Sequence, residues 1–357
     1  PRCDVPPPKR PHYEPDLRGR TMIPAFARPA HRRLREKLAQ IASWAEQAPV
    51  NRRIDGDPAL GIITSGVTFV HAREAAPDAS FLKLGMSHPL PMGAIRAFAG
   101  SVERCVVIEE GEACLADAIR AAGIAVDAKR DRFRFGELTA DRVRRILADD
   151  CSPEPELPPG KPPRLCSDCS HRPVFQALSH LGCVVSGDIG CYTLAVLPPY
   201  EAIHSCVCMG ASIGVGLGLR HVLPPEEARR VVSVIGDSTF IHSGITGLVE
   251  MVYNPPETGH VVLILDNGTT AMTGAQEHPG TGRTLDHERT NQVVYEDLCR
   301  AIGIRNVHVI DPTQSVTQLE NLIRESLEQN ELTVIITRSP CAIMARRKRT
   351  NKSKQRR

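Results

Sequence analysis

The stretch VVSVIGDSTFIHSGITGLVEM, residues 231–251, gives the clearest indication of the fold. A run of β-branched residues leads directly into Gly236-Asp237-Ser238, and an amphipathic segment follows. This pattern is typical of a buried strand that ends in a turn where a helix begins. A second run of this kind, VVLIL (261–265), ends in Asp266-Asn267. Ligands bind at the carboxyl ends of the strands in an open parallel α/β sheet, so the two polar strand ends predict a binding site.

The composition is that of a globular protein with room for two domains. The chain has 357 residues, 41% of them hydrophobic and 24% charged, with a formal net charge of +3. It contains no apolar run long enough to cross a membrane and no secretion leader, so we expect a cytoplasmic protein. The first residue is proline, which suggests a fragment or a processed chain.

Alternating strand and helix patterns divide the chain into two predicted α/β domains, each with a parallel sheet. A helix is expected at 31–48, where apolar residues recur at helical spacing. We assign residues 1–57 to an arm with that one helix, 58–148 to the first domain and 149–164 to a proline-rich linker. Residues 165–345 form the second domain, and 346–357 form a basic tail.

The predicted elements follow the chain order. In the first domain they are strands LGIITSG (60–66), SFLKLG (80–85) and CVVIEEG (105–111), with helices at 67–77, 92–102 and 112–124. In the second domain the strands are GCVVSGDIG (182–190), RRVVSVIGD (229–237), GHVVLILDNG (259–268) and LTVIITRS (332–339). The strand at 332–339 is expected to close the sheet. A glycine-rich helix is expected in 208–222.

Asp237 and Asn267 each offer a hard oxygen ligand at a predicted strand end. Together with a backbone carbonyl and two phosphate oxygens they could complete an octahedral Mg²⁺ site. The helix N-terminus that follows Asp237 favours negative charge and therefore a phosphate. The structural alternative is that Asp237 only caps that helix.

Four of the twelve cysteines have a suggestive placement. Cys166 and Cys169 are two residues apart, Cys191 follows a strand and turn, and Cys341 follows the last predicted strand. Four thiolates on one sheet edge would suit a [4Fe–4S] cluster or a structural zinc. The alternatives are a redox-active Cys-x-x-Cys pair with ordinary buried thiols.

At this point the sequence resembles a known family. The pair GDSTFIHSGITGL and LDNGTTAMTGAQEHPGTG is similar to the diphosphate–magnesium motif of thiamine diphosphate enzymes, and more closely to the α subunits of indolepyruvate:ferredoxin oxidoreductases. These belong to the 2-oxoacid:ferredoxin oxidoreductase superfamily. GDIGCYTLAVLPP, CMGASIGVGLG and GIITSGVTFVHAREAAPDASFLKLGMSHPLP resemble the same subunits, and the likeness covers roughly residues 20–345.

The resemblance implies a transketolase-C-like first domain and a second domain that binds the diphosphate half of thiamine diphosphate. It implies Mg²⁺ ligands at Asp237, Asn267 and the carbonyl of Thr269, and a [4Fe–4S] cluster on Cys166, Cys169, Cys191 and Cys341. Further implied cofactor contacts are Gly236, Ser238, Thr270, Thr273, Gly274, Met209 and Gly210; for the last two, close helix–sheet packing is the alternative role. Ser167-Asp168 replaces the usual Pro-Gly of the family, and an acidic residue beside a cluster would lower its potential.

The family likeness also indicates what this chain lacks. The resemblance implies that the glutamate that activates thiamine diphosphate lies in a pyrimidine domain, of which residues 1–30 resemble only the end, and that the family's ferredoxin-like module is not among these 357 residues. The catalytic residue is therefore unknown here. We expect an incomplete subunit of a hetero-oligomer that acts with a β subunit, oxidising an aryl 2-oxoacid with coenzyme A and passing electrons to ferredoxin. The alternatives are a non-redox thiamine diphosphate decarboxylase and a catalytically idle cluster- or zinc-binding subunit.

The remaining candidates favour structural roles. Cys206 and Cys208 alternate on an expected strand and are interpreted as packing residues. Cys3, Cys105, Cys114, Cys151, Cys183 and Cys299 have no partner at ligand spacing. His171, His242 and His278 could carry protons or contact substrate, although a lone histidine is more often structural, and His204 is a weaker candidate. Glu109-Glu110 is interpreted as structural or interfacial, and the basic tail as solvated rather than nucleic-acid-binding.

Overall fold

The computed structural model describes residues 12–154 and 160–347, which form two compact units separated near residue 157. Cys3, the centre of the proline-rich linker and most of the basic tail lie outside the described residues. Within residues 12–154 and 160–347, no helix is long and apolar enough to cross a membrane.

The first unit contains six helices and five strands among its described residues. The helices are α1 (Leu17–Arg20), α2 (Pro24–Ala45), α3 (Thr68–Ala75), α4 (Met92–Ala99), α5 (Cys114–Ala121) and α6 (Ala140–Leu147). The strands are β1 (Arg52–Ile54), β2 (Asp57–Ser65), β3 (Ala79–Leu84), β4 (Arg104–Ile108) and β5 (Asp127–Ala128).

The strands of the first unit form one sheet in the order β1-β3-β2-β4-β5. The β1–β3 pairing is antiparallel and the others are parallel. Apolar side chains are buried on both faces: Ile63 and Val107 belong to one cluster, and Ile62 and Val106 belong to the other. Strands that are covered on both faces need near-continuous apolar runs, which explains their sequence pattern.

The second unit contains the stretch that opened the sequence analysis. Its helices are α7 (Arg172–His180), α8 (Ala211–Val222), α9 (Pro225–Ala228), α10 (Asp237–Thr239), α11 (Ile245–Tyr253), α12 (Tyr295–Ile302) and α13 (Val316–Glu328). Its strands are β6 (Val184–Gly187), β7 (Ser205–Cys206), β8 (Val231–Gly236), β9 (His260–Asp266), β10 (Asn306–Ile310) and β11 (Leu332–Arg338).

This second sheet is entirely parallel, in the order β10-β11-β9-β8-β6-β7. Every residue of β8 is buried. Val232 and Val234 pack into the cluster on one face, whereas Ile235 packs into the cluster on the other. The sheet is thus a doubly covered layer, and its carboxyl edge is the surface on which a ligand site is expected.

The helix after β8 has an irregular start. Residues Asp237–Thr239 are α-helical, Phe240–Gly244 form a π-helical turn, and Ile245–Tyr253 are again α-helical. Single π turns inside helices occur frequently at functional sites. The turn lies directly beside the predicted Mg²⁺ ligand Asp237.

The fold class predicted from the sequence, α/β with two parallel-sheet domains, is confirmed, with corrections in detail. The strand at 332–339 does not close the sheet, because the half-exposed β10 pairs outside it. The helix predicted at 31–48 begins earlier, at Pro24, and carries Pro29 inside it. Proline is normally excluded beyond the first turn of a helix, which is why the pattern did not indicate this start.

Candidate functional site

The sheet register brings the predicted ligands together. Gly236 of β8 is paired with Leu265 of β9, so that Asp237 and Asn267 both follow the carboxyl ends of neighbouring central strands. The backbone amides of Asn267 and Gly268 donate to Oδ2 of Asp237 at 3.1 and 2.8 Å. The Asp237 side chain is therefore in direct contact with the backbone of Asn267, 30 residues away in sequence.

Asp237 is a buried carboxylate held by backbone donors, with 2% of its surface exposed. Besides the two bonds to Oδ2, the amide of Ser238 donates to Oδ1 at 2.8 Å. Burial of a carboxylate is costly unless it is hydrogen-bonded, and these bonds compensate it. A carboxylate fixed in this way at a helix start has lone pairs left for a cation.

The side chain of His278 lies behind this carboxylate. Its Nε2 is 3.4 Å from Oδ2 of Asp237, and its Nδ1 accepts from the amide of Gly280 at 3.2 Å. Among the described residues, this Nε2 has no hydrogen-bond partner, so its relation to the carboxylate is one of proximity only. His278 therefore lies beside Asp237 without a hydrogen bond that would orient it.

Asn267 connects the carboxylate to the next loop. Its Oδ1 accepts from the amide of Thr269 at 3.1 Å, and its Nδ2 is 3.2 Å from Nε2 of His171. Because the amide nitrogen can only donate, Nε2 of His171 accepts, which requires a neutral ring. Burial lowers the pKa of His171 to about 4, against the opposing effect of the Asp237 charge, so the ring is neutral at pH 7.

Hydroxyl groups surround the same cleft. Oγ1 of Thr270 donates to Oγ of Ser238 at 2.7 Å, across the gap between the two strand ends. The cleft has a volume of about 90 Å³. Its lining includes the predicted residues Gly236, Asp237, Ser238, Asn267, Thr269, Thr270, Thr273 and Met209. Gly274, predicted with them, instead lines the neighbouring thiol cavity described below.

Asp188 is a site residue that the sequence reasoning missed. It is fully buried, and its carboxylate accepts from the amides of Ile189, Gly210 and Ser212 at 2.9 to 3.1 Å. These bonds fix the N-terminus of α8 next to the end of β6. Gly210 has a φ of +89°, a conformation that glycine adopts without strain, so the turn into α8 requires glycine.

The four predicted cluster cysteines lie around one cavity of about 180 Å³. Cys166 and Cys169 come from the loop before α7, Cys191 from the turn after β6, and Cys341 from the segment after β11. The amide of Cys341 donates to the carbonyl of Asn267 at 3.0 Å, which places the thiol cavity directly against the Asp237–Asn267 site. His171 and Asn267 also line this cavity.

The thiols influence one another electrostatically. Burial, with smaller contributions from the neighbouring Cys166, Cys191 and Cys341, raises the pKa of Cys169 to about 11, against the lowering effect of a hydrogen bond from the backbone of His171. Burial also raises the pKa of Cys191, followed by the effect of Cys341 and Cys166. Within the described ranges 12–154 and 160–347, no three His, Cys, Asp or Glu side chains converge on a point suited to a single metal ion. The four thiols thus surround a space rather than meet at one atom.

Cys206 and Cys208 contradict the sequence prediction. Both are exposed, so the interpretation as packing residues is wrong. They lie on and just beyond β7, a two-residue strand at the edge of the sheet, where few neighbours can cover them. Val207 and Met209 beside them are 69% and 55% exposed.

Other candidates have structural positions. His242 is exposed on the π-helical turn, and Nδ1 of His204 accepts from the amide of Val185 at 3.0 Å. In the first unit, Glu109 is buried and accepts from the amides of Leu115 and Ala116, which gives it the structural role expected of it. Asp266 is paired with Arg338 at 2.6 Å and lines a different cavity from the cleft of Asp237.

Comparison with known proteins adds to this geometry. Residues 188–337 match the protein family described as "Thiamine pyrophosphate enzyme, C-terminal TPP binding domain". The match begins at Asp188 and includes both strand ends of the Asp237–Asn267 site.

Curated relatives match over most of the chain. It is 35% identical to the indolepyruvate oxidoreductase subunit IorA of Archaeoglobus fulgidus, over 96% of this chain and 58% of that protein. It is 34% identical to the IorA subunit of Methanothermobacter marburgensis, with 90% and 56% covered, and 32% identical to that of Pyrococcus horikoshii, with 90% and 55% covered. The chain therefore spans somewhat more than half the length of these relatives.

Among solved structures, a 2-oxoglutarate:ferredoxin oxidoreductase from Magnetococcus marinus is similar with a TM-score of 0.43 and 16% identity. The similarity covers 51% of this chain and 66% of that chain. A thiamin diphosphate-dependent enzyme from Mycobacterium smegmatis is similar with a TM-score of 0.35 and 17% identity, over 86% and 64% of the two chains.

Proposed function

We propose that the chain is part of a subunit in the family of the indolepyruvate oxidoreductase subunit IorA, to whose members it is 32–35% identical. In this proposal it is the cofactor- and cluster-binding portion of a thiamine diphosphate-dependent 2-oxoacid:ferredoxin oxidoreductase. Two features of the second unit support the proposal. One is the Asp237–Asn267 site at the carboxyl edge of the sheet, and the other is the thiol cavity beside it.

The residues present fit a magnesium diphosphate. Asp237 offers a buried carboxylate, Asn267 an amide oxygen and Thr269 a backbone carbonyl, all hard oxygen ligands of the type that Mg²⁺ prefers. The hydroxyls of Ser238 and Thr270 line the same cleft and can donate to phosphate oxygens. The helix that begins at Asp237 directs the positive end of its dipole towards this position.

The chain's own residues bind and orient the cofactor. Bound thiamine diphosphate would supply the carbanion chemistry that removes carbon dioxide from a 2-oxoacid. The amides of Ser238, Asn267 and Gly268 fix the orientation of the Asp237 carboxylate, so that little reorganisation is needed when the cation binds. Asp188 fixes the start of α8, and Met209 and Gly210 directly before α8 are the proposed contacts with the cofactor's ring portion.

The redox part of the proposal is supported by one observation: the Asp237–Asn267 site and the thiol cavity share a boundary. Four thiols from three separate segments surround one cavity, and Asn267 lines both this cavity and the cleft of Asp237. Iron–sulfur clusters are held by four cysteine thiolates. We infer a [4Fe–4S] cluster on Cys166, Cys169, Cys191 and Cys341, next to the place where electrons would leave the substrate.

The substrates and partners proposed for the whole enzyme follow from the family. They are an aryl 2-oxoacid such as indolepyruvate, coenzyme A as the acyl acceptor, ferredoxin as the electron acceptor, and a second, β subunit. The relatives are named as subunits, which supports a hetero-oligomer. The activating glutamate is proposed to come from a pyrimidine domain that these residues do not contain.

The experiment is an iron and acid-labile sulfide assay on anaerobically purified protein. We expect about four irons and four sulfides per chain, with a large loss in each of Cys166→Ser, Cys169→Ser, Cys191→Ser and Cys341→Ser. Cys206→Ser and Cys208→Ser are matched controls, since both thiols are in the same unit but outside the cavity, and should keep the full content. Zinc in place of iron, or equal metal content in all six variants, would contradict the proposed cluster.

A further inference from the structure

An ion pair joins two sides of the thiol cavity. Asp168 lies between Cys166 and Cys169 on the loop before α7, and Arg346 follows Cys341 by five residues. Nη2 of Arg346 donates to Oδ2 of Asp168 at 2.7 Å, although the two residues are 178 positions apart. The contact therefore connects the loop that carries two of the thiols with the segment that carries the fourth.

The ion pair also brings opposite charges, those of Asp168 and Arg346, together beside the thiol cavity. A carboxylate next to a cluster makes the uptake of a further electron less favourable and so lowers the reduction potential. A guanidinium in contact with the carboxylate cancels most of the effect on the reduction potential, because the electrostatic potentials of two opposite charges in contact largely cancel at the cavity. Both side chains are partly exposed, so the pair contributes little to folding as such.

We propose that Asp168 and Arg346 are positioning residues of the cluster, which hold the Cys166–Cys169 loop against the Cys341 segment and offset each other's charge beside the cluster. The inference rests on the proposed function, since it needs the cluster. It goes beyond that function by assigning a role to two residues that bind no iron.

The test uses the anaerobically purified full chain and compares Asp168→Asn, Arg346→Gln and the double variant. The first readout is the midpoint potential from a redox titration followed by electron paramagnetic resonance. We expect Arg346→Gln to shift the potential to more negative values, Asp168→Asn to shift it to more positive values, and the double variant to return close to the parent protein. Arg324→Gln, which removes an arginine on α13 bonded to Asn321, is the control and should leave the potential unchanged.

The second readout is the rate at which a chelator removes iron. Each single variant should lose iron faster, and the double variant no faster than the worse of the two, because both changes break the same contact. Unchanged potentials and equal rates of iron loss in a protein that holds its cluster would overturn this inference and leave the proposed function intact. A parent protein without iron and sulfide would instead refute the proposed function.

Discussion

At the scale of the residue, sequence reasoning identified the groups whose chemistry is visible in their type and spacing. Asp237, Asn267, Cys191 and Cys341 were singled out because each ends or closely follows a predicted strand, and Cys166 and Cys169 because of their Cys-x-x-Cys spacing; the metal-binding roles of all six stay predictions. Asp188 also follows such a strand but was missed, because its role depends on three backbone amides of a loop and of α8, which spacing does not reveal. The exposure of Cys206 was also missed. It depends on β7 lying at the edge of the sheet, and spacing along the sequence does not reveal the sheet order.

The first prediction concerns Asp237. Asp237→Asn should weaken Mg²⁺-dependent binding of thiamine diphosphate by more than about tenfold, because loss of even a supporting contact around a metal costs that much. Isothermal titration calorimetry with and without Mg²⁺ measures this. Asp266→Asn is the matched control: Asp266 lies at the same sheet edge, but its carboxylate is engaged by Arg338. Equal loss of binding in both variants would argue against Asp237 as a cation ligand.

A second prediction at this scale concerns the buried cap of α8. Asp188→Ala leaves the amides of Ile189, Gly210 and Ser212 without an acceptor in a buried place. We expect a loss of about 1–3 kcal/mol in the free energy of unfolding of the second unit. Ser315→Ala removes the ordinary exposed cap of α13 and should cost about 1 kcal/mol. Urea unfolding followed by circular dichroism compares them, and a smaller effect at Asp188 than at Ser315 would be inconsistent with this role.

At the scale of the element, strands with continuous apolar runs could be predicted from the sequence, whereas some strands at the edges of the sheets could not. The central strands β2, β3, β4, β8 and β9 could be predicted because burial on both faces requires continuous apolar residues. The strand β10 was missed because its burial is partial, and β5 because two residues leave no pattern. The π-helical turn at Phe240–Gly244 has no sequence signal that we recognised.

The third prediction uses the glycines of α8 as probes of its packing. A Cβ at Gly216 would collide with Oγ of Ser233 and lie 2.9 Å from Cε1 of His260, whereas Cβ atoms at Gly214 and Gly218 would meet nothing within 4 Å. Gly216→Ala should therefore destabilise the second unit by about 1–3 kcal/mol. Gly214→Ala and Gly218→Ala should stabilise it by up to about 1 kcal/mol, since alanine favours the helix. Thermal unfolding of the three variants provides the measurement, and three equal shifts would show that α8 does not pack on β8 in this way.

At the scale of the whole molecule, the sequence predicted two α/β units, while the register within each sheet needed the structure. The pairing of β8 with β9 could be anticipated from their apolar character, but the order β10-β11-β9-β8-β6-β7 could not, since parallel strands are rarely arranged in chain order. The assembly around the four thiols depends on that order, because it brings the ends of β6, β9 and β11 to one edge.

The fourth prediction concerns the acid stability of the second unit. His260 is fully buried, and its Nε2 is 2.8 Å from Oγ of Ser233. Burial lowers its pKa well below the usual 6.5, so below pH 6.5 the unfolded chain binds a proton that the folded chain does not. Stability should therefore be highest above pH 6.5 and fall by up to about 1.4 kcal/mol per pH unit below it.

The measurement is urea unfolding at several values between pH 7.5 and pH 5.5. His260→Gln should reduce the slope of stability against pH in this range, whereas His308→Gln, at an exposed position on β10, should leave it as in the parent protein. An identical slope in the parent protein and in His260→Gln would contradict the assignment.

The proposed diphosphate site and the proposed cluster adjoin within the second unit, because Asn267 lines both the cleft of Asp237 and the thiol cavity. The most direct test is the electron paramagnetic resonance spectrum of the reduced, anaerobically purified chain, recorded before and after saturation with Mg²⁺ and thiamine diphosphate. We predict an iron–sulfur signal whose line shape changes when the cofactor binds, because the binding site borders the cluster. A missing signal, or a signal that stays the same while calorimetry shows full binding, would contradict the claim.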